Sequence, residues 1–401
     1  MYDGIWPIRH SSGRTGPPRR RPVHLAVAAA VGLALVSCGG DPDPGGPAAE
    51  ALATGADARR LAGVCPDPVV VQTSWWPEST HGGLYQLLGG RPTVDKAAKT
   101  IRGPLVSRGA DTGVRLEIRA GGPARGQQPV AALMRADDTI TLGQQATEEQ
   151  VLGWAEGMPT VGVLAPFYVD PVVFIWDKDR HPDFNAIQDI GQTPTRVFTF
   201  RSANTDYLLG SGILRPTQVD YSYDGSPSLF MSRPDSVVGG FATNEPFIYR
   251  SMGRDVDYAY VADTGYPNYR NALTVRADAR DRLAPCLRKL VPILQRGMVD
   301  FMAEPAAVLR RIVSLNGEYG ASFPYPLPQA EYGVRVMRDD GLVSNPKEGP
   351  FGAFDQSRNG RMIDILRPIY AGRRQAVPPE LNATTIATNE FLDADVRMGG
   401  S

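Results

Sequence analysis

The sequence predicts an α/β protein with two lobes, each built around a mainly parallel β-sheet that is flanked by helices. The chain has 401 residues, which is enough for two domains or one large bilobal unit. From Pro68 onward, short apolar runs typical of buried strands alternate with amphipathic stretches typical of helices. A second unit with the same alternation begins at about Arg196.

The first unit begins with the apolar run Val69-Val70-Val71, which has the character of a buried strand. Farther along, Val130, Leu133 and Met134 share one face of a predicted helix. Applied along the whole unit, these patterns predict strands at residues 69–73, 114–118, 139–143, 161–164 and 172–176, and helices at residues 82–88, 127–135 and 148–156.

The second unit repeats the alternation of strands and helices. Its clearest strand is 237–241, which runs directly into the polar segment 242–246. The same patterns predict further strands at residues 196–200, 218–221, 257–261 and 273–275, and helices at residues 204–210, 226–231, 285–303 and 306–314.

The N-terminus has the composition of an export signal. A basic cluster at Arg19 to Arg21 precedes an apolar run from Val23 to Val36, which is too short to span a bilayer comfortably. Its ending, Leu35-Val36-Ser37-Cys38-Gly39, resembles a bacterial lipobox, in which Cys38 would be lipidated and become the mature N-terminus. A plain signal peptide with an incidental cysteine is the alternative. We therefore predict a signal peptide over 1–37 and a flexible, lipid-anchored tether over 38–65, since its Gly, Pro, Asp and Ala cannot form a core.

Charge and cysteine content narrow the class further. With 42 basic and 43 acidic residues, the chain has no electrostatic signature of a nucleic-acid-binding protein. Beyond Cys38, only Cys65 and Cys286 remain, and an even pair in an exported protein favours a disulfide. Two separate buried thiols are the alternative.

Four stretches of the chain resemble the type II periplasmic binding proteins, and within them the group that binds thiamine-pyrimidine precursors and aliphatic sulfonates. These stretches are Trp75 to Tyr85, Thr141 to Gln144 with Ala165 to Tyr168, Gly239 to Pro246, and Gly352 to Asp355 with Thr388 to Asp393. The resemblance implies two α/β lobes joined by two crossover strands, with lobe 1 formed by 66–167 plus 265–401 and lobe 2 by 168–264. It also implies an extracytoplasmic, monomeric protein that closes on a small-molecule ligand and docks on the permease and ATPase subunits of an ABC importer.

The candidate ligand-binding residues follow strand ends, because ligands of open α/β sheets bind beyond the carboxyl ends of the strands. They are Trp75, Trp76, Glu78, His81, Gln144, Tyr168, Ser202, Asn204, Asn244 and Glu245. Aromatic walls suit flat ligands, and amide and carboxyl groups suit the edge of a nitrogen heterocycle. We therefore expect a pyrimidine or a vitamin precursor, and a nitrate- or sulfonate-type anion is the alternative.

Structural roles are the competing interpretation for several of these residues. Trp75 and Trp76 could pack in the core, and we expect one of them in the cleft and the other buried. Glu78 could favour a helix N-terminus, His81 could be a surface histidine near a cap, and Asn244 and Glu245 could be turn residues.

Catalytic motifs are absent from the sequence: it contains no HExxH, GxSxG or P-loop pattern, and no metal-ligand spacing. Relatives that synthesise a thiamine pyrimidine carry a cysteine-rich motif, and the chain has no such cluster. We therefore expect neither an enzyme nor a cofactor or a metal site. An extracytoplasmic sensor or interaction protein that reuses the fold is the alternative function.

Overall fold

The computed structural model describes residues 60–399 of the chain. The predicted signal peptide, most of the tether and the predicted lipidation site at Cys38 lie outside these residues. Within the described range, none of the helices has both the length and the apolar character that a membrane span requires.

The first sheet has seven strands, and its central strand is formed by the predicted apolar run. Its strands are β1 (Val69–Gln72), β2 (Thr93–Asp95), β3 (Thr100–Ser107), β4 (Ala110–Arg119), β5 (Ile140–Gln145), β6 (Thr160–Leu164) and β12 (Ala272–Arg276). They follow the order β2-β3-β4-β1-β5-β12-β6. β1 pairs in parallel with both β4 and β5, so three carboxyl ends meet at one edge of this sheet.

The second sheet has five strands, all from the middle of the chain. They are β7 (Val172–Asp177), β8 (Val197–Phe198), β9 (Val219–Asp220), β10 (Val237–Phe241) and β11 (Val256–Tyr260). Their order is β11-β7-β10-β8-β9. β10 and β8 are parallel neighbours, so the segments that follow them also leave the sheet at a common edge.

Helices cover both sheets, and their apolar faces form the core with the strands. The α-helices are α1 (Gly82–Tyr85), α2 (Val130–Ala136), α3 (Thr147–Ala155), α4 (Ile187–Gln192), α5 (Ala203–Gly210), α6 (Pro227–Ser232), α7 (Glu245–Ser251), α8 (Arg280–Ala303), α9 (Ala306–Tyr319), α10 (Leu327–Asp339), α11 (Gln356–Gly372) and α12 (Ala383–Ile386). The long helix α8 buries Leu287, Leu290, Leu294 and Phe301 against the first sheet and its flanking helices. These four residues are spaced so that they lie on one apolar face of the helix.

Two sheets flanked by helices confirm the predicted fold class, but the strand pairing differs from a mainly parallel one. In the first sheet, β3 and β4 form an antiparallel hairpin, and β12 is antiparallel to both β5 and β6. Arg108 and Gly109 join the hairpin strands with φ values of 50° and 76°, the backbone that tight hairpin turns require. In the second sheet, β7 is antiparallel to β10 and β11.

Two segments connect the sheets, residues 165–171 between β6 and β7 and residues 261–271 between β11 and β12. Arg358 of α11 ties these segments together. Its guanidinium donates to the carbonyl of Tyr168 at 2.6 Å, to the carbonyl of Pro267 at 2.9 Å and to the carbonyl of Asn268. The two connections are therefore held side by side by one cation.

A buried ion pair lies beside Arg358 at the same connections. Arg270 of the second connecting segment donates two hydrogen bonds to Asp170 of the first, each at 3.0 Å, and also contacts Glu148 at 3.3 Å. Burial raises the pKa of Glu148, and the positive charge of Arg270 opposes this shift. Because Arg270 and its two carboxylate partners are all removed from water, moving the segments apart would leave buried charges without partners. These ion pairs therefore resist separation of the two segments.

Cys65 and Cys286 form a disulfide, as predicted, with their Cα atoms 4.8 Å apart. The bond joins the start of the described chain to α8. The end of the predicted tether, by contrast, is packed rather than free. Leu61 is fully buried, and its N–H donates to the carbonyl of Thr112 at 2.8 Å. The apolar side chain of Leu61, which the Gly- and Pro-based prediction over 38–65 did not weigh, explains this difference.

Candidate functional site

Trp75 is a partly exposed aromatic residue at the edge of the first sheet. It lies in the loop that follows β1, and its side chain is packed against Gly122, which follows β4. A side chain at Gly122 would collide with this ring, and the φ of 56° there also favours glycine. Trp75 nevertheless remains 39% exposed. The loop thus holds an aromatic side chain that is partly open to solvent.

Trp76 and His81 point into the protein instead. Trp76 is buried in the core cluster, and its Nε1 has no hydrogen-bond partner. His81 is 1% exposed, and neither ring nitrogen makes a hydrogen bond of normal geometry. Burial lowers the pKa of His81 to about 3, so the imidazole is neutral at physiological pH. His81 is therefore a buried neutral group, not a surface histidine.

A hydrogen bond joins the strand-end loops of the two sheets. Asn244, which follows β10, donates from Nδ2 to Glu78 Oε2 at 3.2 Å, and Glu78 belongs to the loop after β1. Thr80 donates its hydroxyl to the other carboxyl oxygen of Glu78. Burial raises the pKa of the Glu78 carboxyl, and the hydrogen bonds from Thr80 and Asn244 oppose that shift. The site therefore begins where the two sheets approach each other.

Glu245 adds a second carboxyl group to this region, directly after Asn244 at the start of α7. Its Oε2 accepts a hydrogen bond from the backbone N–H of Phe241 at 2.7 Å. Burial raises the pKa of Glu245 to about 7, and the negative charge of Glu78 adds to the shift. In the part of the chain that the structure describes, neither carboxyl forms an ion pair with an arginine or lysine. Two carboxyl groups thus share a site without a cation.

Exposed aromatic side chains also lie at the corresponding edge of the second sheet. Phe200 follows β8 and is exposed, and Phe241 ends β10 and is partly exposed. Because β8 and β10 are parallel neighbours, both rings leave the sheet at the same end. Neither phenylalanine was predicted as a site residue from the sequence, although an aromatic residue directly at a strand end was the signal available.

Gln144 lies inside β5, opposite Leu273 of β12, and not in a loop after the strand as predicted. The strand continues to Gln145, whose Oε1 accepts a hydrogen bond from Thr274 at 2.7 Å. Gln144 is buried, and its Oε1 has no partner. The sequence pattern predicted that this strand ends at Gly143, because the polar side chains of Gln144 and Gln145 are typical of a loop.

Tyr168, Ser202 and Asn204 are engaged in local structure. The carbonyl of Tyr168 accepts from Arg358, and its N–H donates to the carbonyl of Leu342 at 2.7 Å. Ser202 caps α5, and its hydroxyl contacts the side chains of Asn204 at 2.8 Å and Thr205 at 2.9 Å. The structure thus brings Glu78, His81, Asn244 and Glu245 together. Tyr168, Ser202 and Asn204 instead make the local contacts described above.

Helix α10 and Tyr325, which lies two residues before its start, complete the site, and neither was predicted from the sequence. Tyr325 accepts from the backbone N–H of Ser79 at 2.9 Å and donates to its hydroxyl at 3.0 Å. A side chain at Gly333 would collide with Ser79 Oγ and would lie 3.1 Å from the carbonyl oxygen of Thr243. The missing Cβ of Gly333 therefore lets α10 approach both strand-end loops. The hydroxyl of Thr243 is buried and unpartnered.

No metal centre accompanies the carboxyl pair. Across residues 60–399, no three His, Cys, Asp or Glu side chains are grouped so that they could hold a metal ion. A surface depression of about 510 Å³ lies elsewhere, lined by residues such as Leu88, Arg108 and Asp300.

The central part of the sequence matches a known family model. Residues 110–308 match the model described as NMT1/THI5 like. Over these residues the chain is similar to that family. The predicted family resemblance is thereby confirmed. The matched region runs from β4 into α9 and contains Asn244 and Glu245, whereas Trp75 and Glu78 precede it.

Solved structures share the fold of the chain. The periplasmic aliphatic sulphonate binding protein SsuA from Escherichia coli is 11% identical, with a TM-score of 0.55 over 84% of this chain and 96% of that one. A putative sulfonate ABC transporter protein, the periplasmic sulfonate-binding protein SsuA from Methylobacillus flagellatus KT, is 11% identical, with a TM-score of 0.52 over 83% and 99%. No curated protein sequence is significantly similar to the chain.

Proposed function

We propose that this chain is an extracytoplasmic solute-binding lipoprotein that delivers a small molecule to the permease and ATPase subunits of an ABC importer. The ligand is a planar nitrogen heterocycle of the pyrimidine or vitamin-precursor class. The observation that carries the proposal is the hydrogen bond between Asn244 and Glu78, which joins the strand-end loops of the two sheets. Ligands of α/β sheets bind at such strand ends.

Buried polar atoms without partners support a ligand at this place. They are the ring nitrogens of His81, Thr243 Oγ1 and Asn244 Oδ1, all of which belong to the segments that follow β1 and β10. Each such atom costs about 1–3 kcal/mol when it remains unpaired, so a set of them is an unusual feature of a folded core. The edge of a nitrogen heterocycle carries both donors and acceptors and would pair with several of them.

The exposed aromatic residues support a flat ligand. Trp75 on the first sheet and Phe200 and Phe241 on the second each leave part of a ring free. A planar molecule that stacks on such a ring gains about 0.5–1.5 kcal/mol beyond the area that it buries. Ring stacking would fix the plane of the ligand, and the polar atoms would fix its orientation within that plane.

The remaining parts of the proposal concern the whole protein. Lobe 1 comprises 66–167 plus 265–401 and lobe 2 comprises 168–264, and they close on the ligand about the two connections that Arg358 bridges. The signal peptide directs export, and a lipid on Cys38 holds the monomer at the outer face of the membrane. Binding and release, without chemical conversion, are sufficient for this role.

Thermal unfolding of the purified protein tests the proposal. A panel of pyrimidines, vitamin precursors, aliphatic sulfonates, nitrate and amines is added singly at millimolar concentration. A ligand that binds only the folded state stabilises it by RT ln(1 + [L]/Kd), which is about 2.7 kcal/mol at a hundredfold excess over Kd. A heterocycle should raise the unfolding temperature most. If no member of the panel raises the unfolding temperature, a solute-binding role is contradicted. If sulfonates alone raise it, the heterocycle is contradicted.

A further inference from the structure

We propose that the ligand of this site carries a positively charged nitrogen group, which binds between the carboxyl groups of Glu78 and Glu245. The inference rests on the proposed function and specifies the chemical class of the ligand: an organic cation with N–H donors. It separates this site from those of sulfonates and other anions.

The first step is the charge of the two strand-end loops. Glu245 directly follows Asn244, whose side chain donates to Glu78 at 3.2 Å, so the two carboxyl groups belong to adjoining loops, and the charge of one influences the other. The groups around them are neutral: Thr80 and Asn244 donate hydrogen bonds to Glu78, and His81 lies with Nε2 at 3.9 Å from Glu78 Oε1. An anion entering this place would meet two carboxyl groups and no opposing charge, whereas a cation would be attracted by both.

The second step is that the nearest possible cation of the protein is unavailable. His81 could neutralise Glu78 only in its protonated form, but burial lowers the pKa of the imidazole to about 3. Arg270 lies with its guanidinium carbon 5.7 Å from the ring of Phe241, yet it is engaged by Asp170 and Glu148. The protein therefore supplies no compensating charge to the pair, and a ligand can.

The third step is an observation independent of the carboxyl groups. The His81 side chain is completely shielded from solvent, and neither ring nitrogen makes a hydrogen bond of normal geometry; its nearest polar contacts are the backbone of Trp76 and Glu78 Oε1, the latter at 3.9 Å from Nε2. Asn244 uses Nδ2 for Glu78, while its buried Oδ1 has no donor. A neutral imidazole nitrogen and an amide oxygen are acceptors, so N–H groups of a ligand match what is missing.

The position of Trp75 is consistent with the same ligand. Its partly exposed ring belongs to the loop that also contains Glu78, and the ring face of an indole attracts cations. A planar cation could therefore stack on Trp75 and direct its nitrogen toward the carboxyl pair.

Calorimetric titration with three ring compounds of similar shape tests the inference. Benzamidinium is a permanent cation at neutral pH, benzamide is neutral and benzenesulfonate is an anion. Benzamidinium should bind the full-length protein more tightly than benzamide, and benzenesulfonate should bind most weakly. A hydrogen bond to a charged group changes affinity by about ten- to a hundredfold, so Glu78→Gln or Glu245→Gln should weaken benzamidinium by that factor. Glu331→Gln, an exposed change on α10 with the same loss of charge, should not.

Proton release provides a readout in the wild-type protein if a variant fails to fold. Glu245 has a pKa of about 7 and is partly protonated at neutral pH; it is influenced by Glu78, Tyr223 and Tyr249, none of which is a cation. A bound cation favours the ionised carboxyl, so benzamidinium should release protons, which titrations in two buffers of different ionisation enthalpy detect.

The outcomes separate the two proposals. Equal affinity for benzamide and benzamidinium, tighter binding of benzenesulfonate, or binding of benzamidinium without proton release overturns the cation inference and leaves a solute-binding role intact. If none of the three compounds binds and no member of the wider panel stabilises the fold, both proposals are wrong.

Discussion

Trp75 and Trp76 are neighbours in the chain but lie in opposite environments. The side chain of Trp75 is 39% exposed above Gly122, whereas that of Trp76 is 8% exposed within the core. We expected one tryptophan in the cleft and the other buried: Trp76 is buried, and a position of Trp75 in the ligand cleft stays a prediction. The pair therefore allows a contrast between a ligand contact and a packing contact at adjacent positions.

Replacing each tryptophan by alanine should have different consequences. Trp75→Ala should weaken the tightest-binding panel compound about tenfold and change the free energy of unfolding by less than about 1 kcal/mol, since the ring packs little core. Trp76→Ala should cost about 3–5 kcal/mol of stability because it leaves a cavity. Urea unfolding and calorimetry measure both quantities. Unchanged affinity in the Trp75 variant would remove this ring from the site.

The raised pKa of Glu245 predicts a pH-dependent stability. Its folded pKa of about 7 exceeds the ordinary value of 4.5, so the folded protein binds more protons than the unfolded chain between these values. The free energy of unfolding therefore falls as the pH rises through this window. Glu245→Gln should remove about 1–3 kcal/mol of that fall.

Urea unfolding at about pH 5 and about pH 8 measures the effect, taken as the difference between wild type and variant. The difference cancels other titrating groups, apart from Glu78, Tyr223 and Tyr249, which influence Glu245 directly. Parallel pH dependence of the two proteins would mean that Glu245 is solvated in the folded state.

Arg358 should control the two connections between the sheets. It donates to three backbone carbonyls, so Arg358→Ala leaves these acceptors without a partner and should cost about 2–4 kcal/mol. Hydrogen exchange should accelerate in residues 165–171 and 261–271. Arg361→Ala is the matched control on the same helix, because Arg361 is exposed and donates a hydrogen bond to a side chain, Ser357, at 3.2 Å, and not to the connecting segments. An equal effect of both variants would contradict a specific role for Arg358.

The disulfide between Cys65 and Cys286 should stabilise the protein, because it closes a loop with a sequence separation of 221 residues. Replacing both cysteines by serine should lower the free energy of unfolding by about 2–4 kcal/mol. The same loss should appear when wild type is unfolded with a reductant, and the double variant should not respond to it. Identical unfolding midpoints with and without reductant would show that the bond contributes nothing.

Strands with strong apolar patterns could be predicted from the sequence, and elements determined by tertiary contacts could not. The predicted strand 237–241 coincides with β10 (Val237–Phe241). The hairpin strand β3 was missed because Pro104 and Gly103 interrupt its pattern. Helix α10 was missed for a related reason: Gly333 is a poor helix former in isolation, and it is required there for close contact with Ser79 and Thr243.

In the candidate site, too, local sequence pattern predicted individual residues, whereas their arrangement is determined by tertiary contacts. Strand-end rules were sufficient to select Glu78, Asn244 and Glu245 one by one. Their proximity depends on how the two sheets face each other, and Glu78 and Asn244 are 166 residues apart in the chain. Ser202 looked equally suitable in sequence, but its hydroxyl caps α5. Local pattern cannot distinguish a polar group used for capping from one left free for a ligand.

A crystal structure of the protein with the tightest-binding compound of the panel tests the central claim most directly. The account predicts a planar ring stacked on Trp75, with a ligand nitrogen within hydrogen-bond distance, about 3 Å, of the Glu78 or Glu245 carboxyl group. A ligand bound in the depression beside Arg108 and Asp300, or one that touches neither Trp75 nor the carboxyl pair, would contradict it.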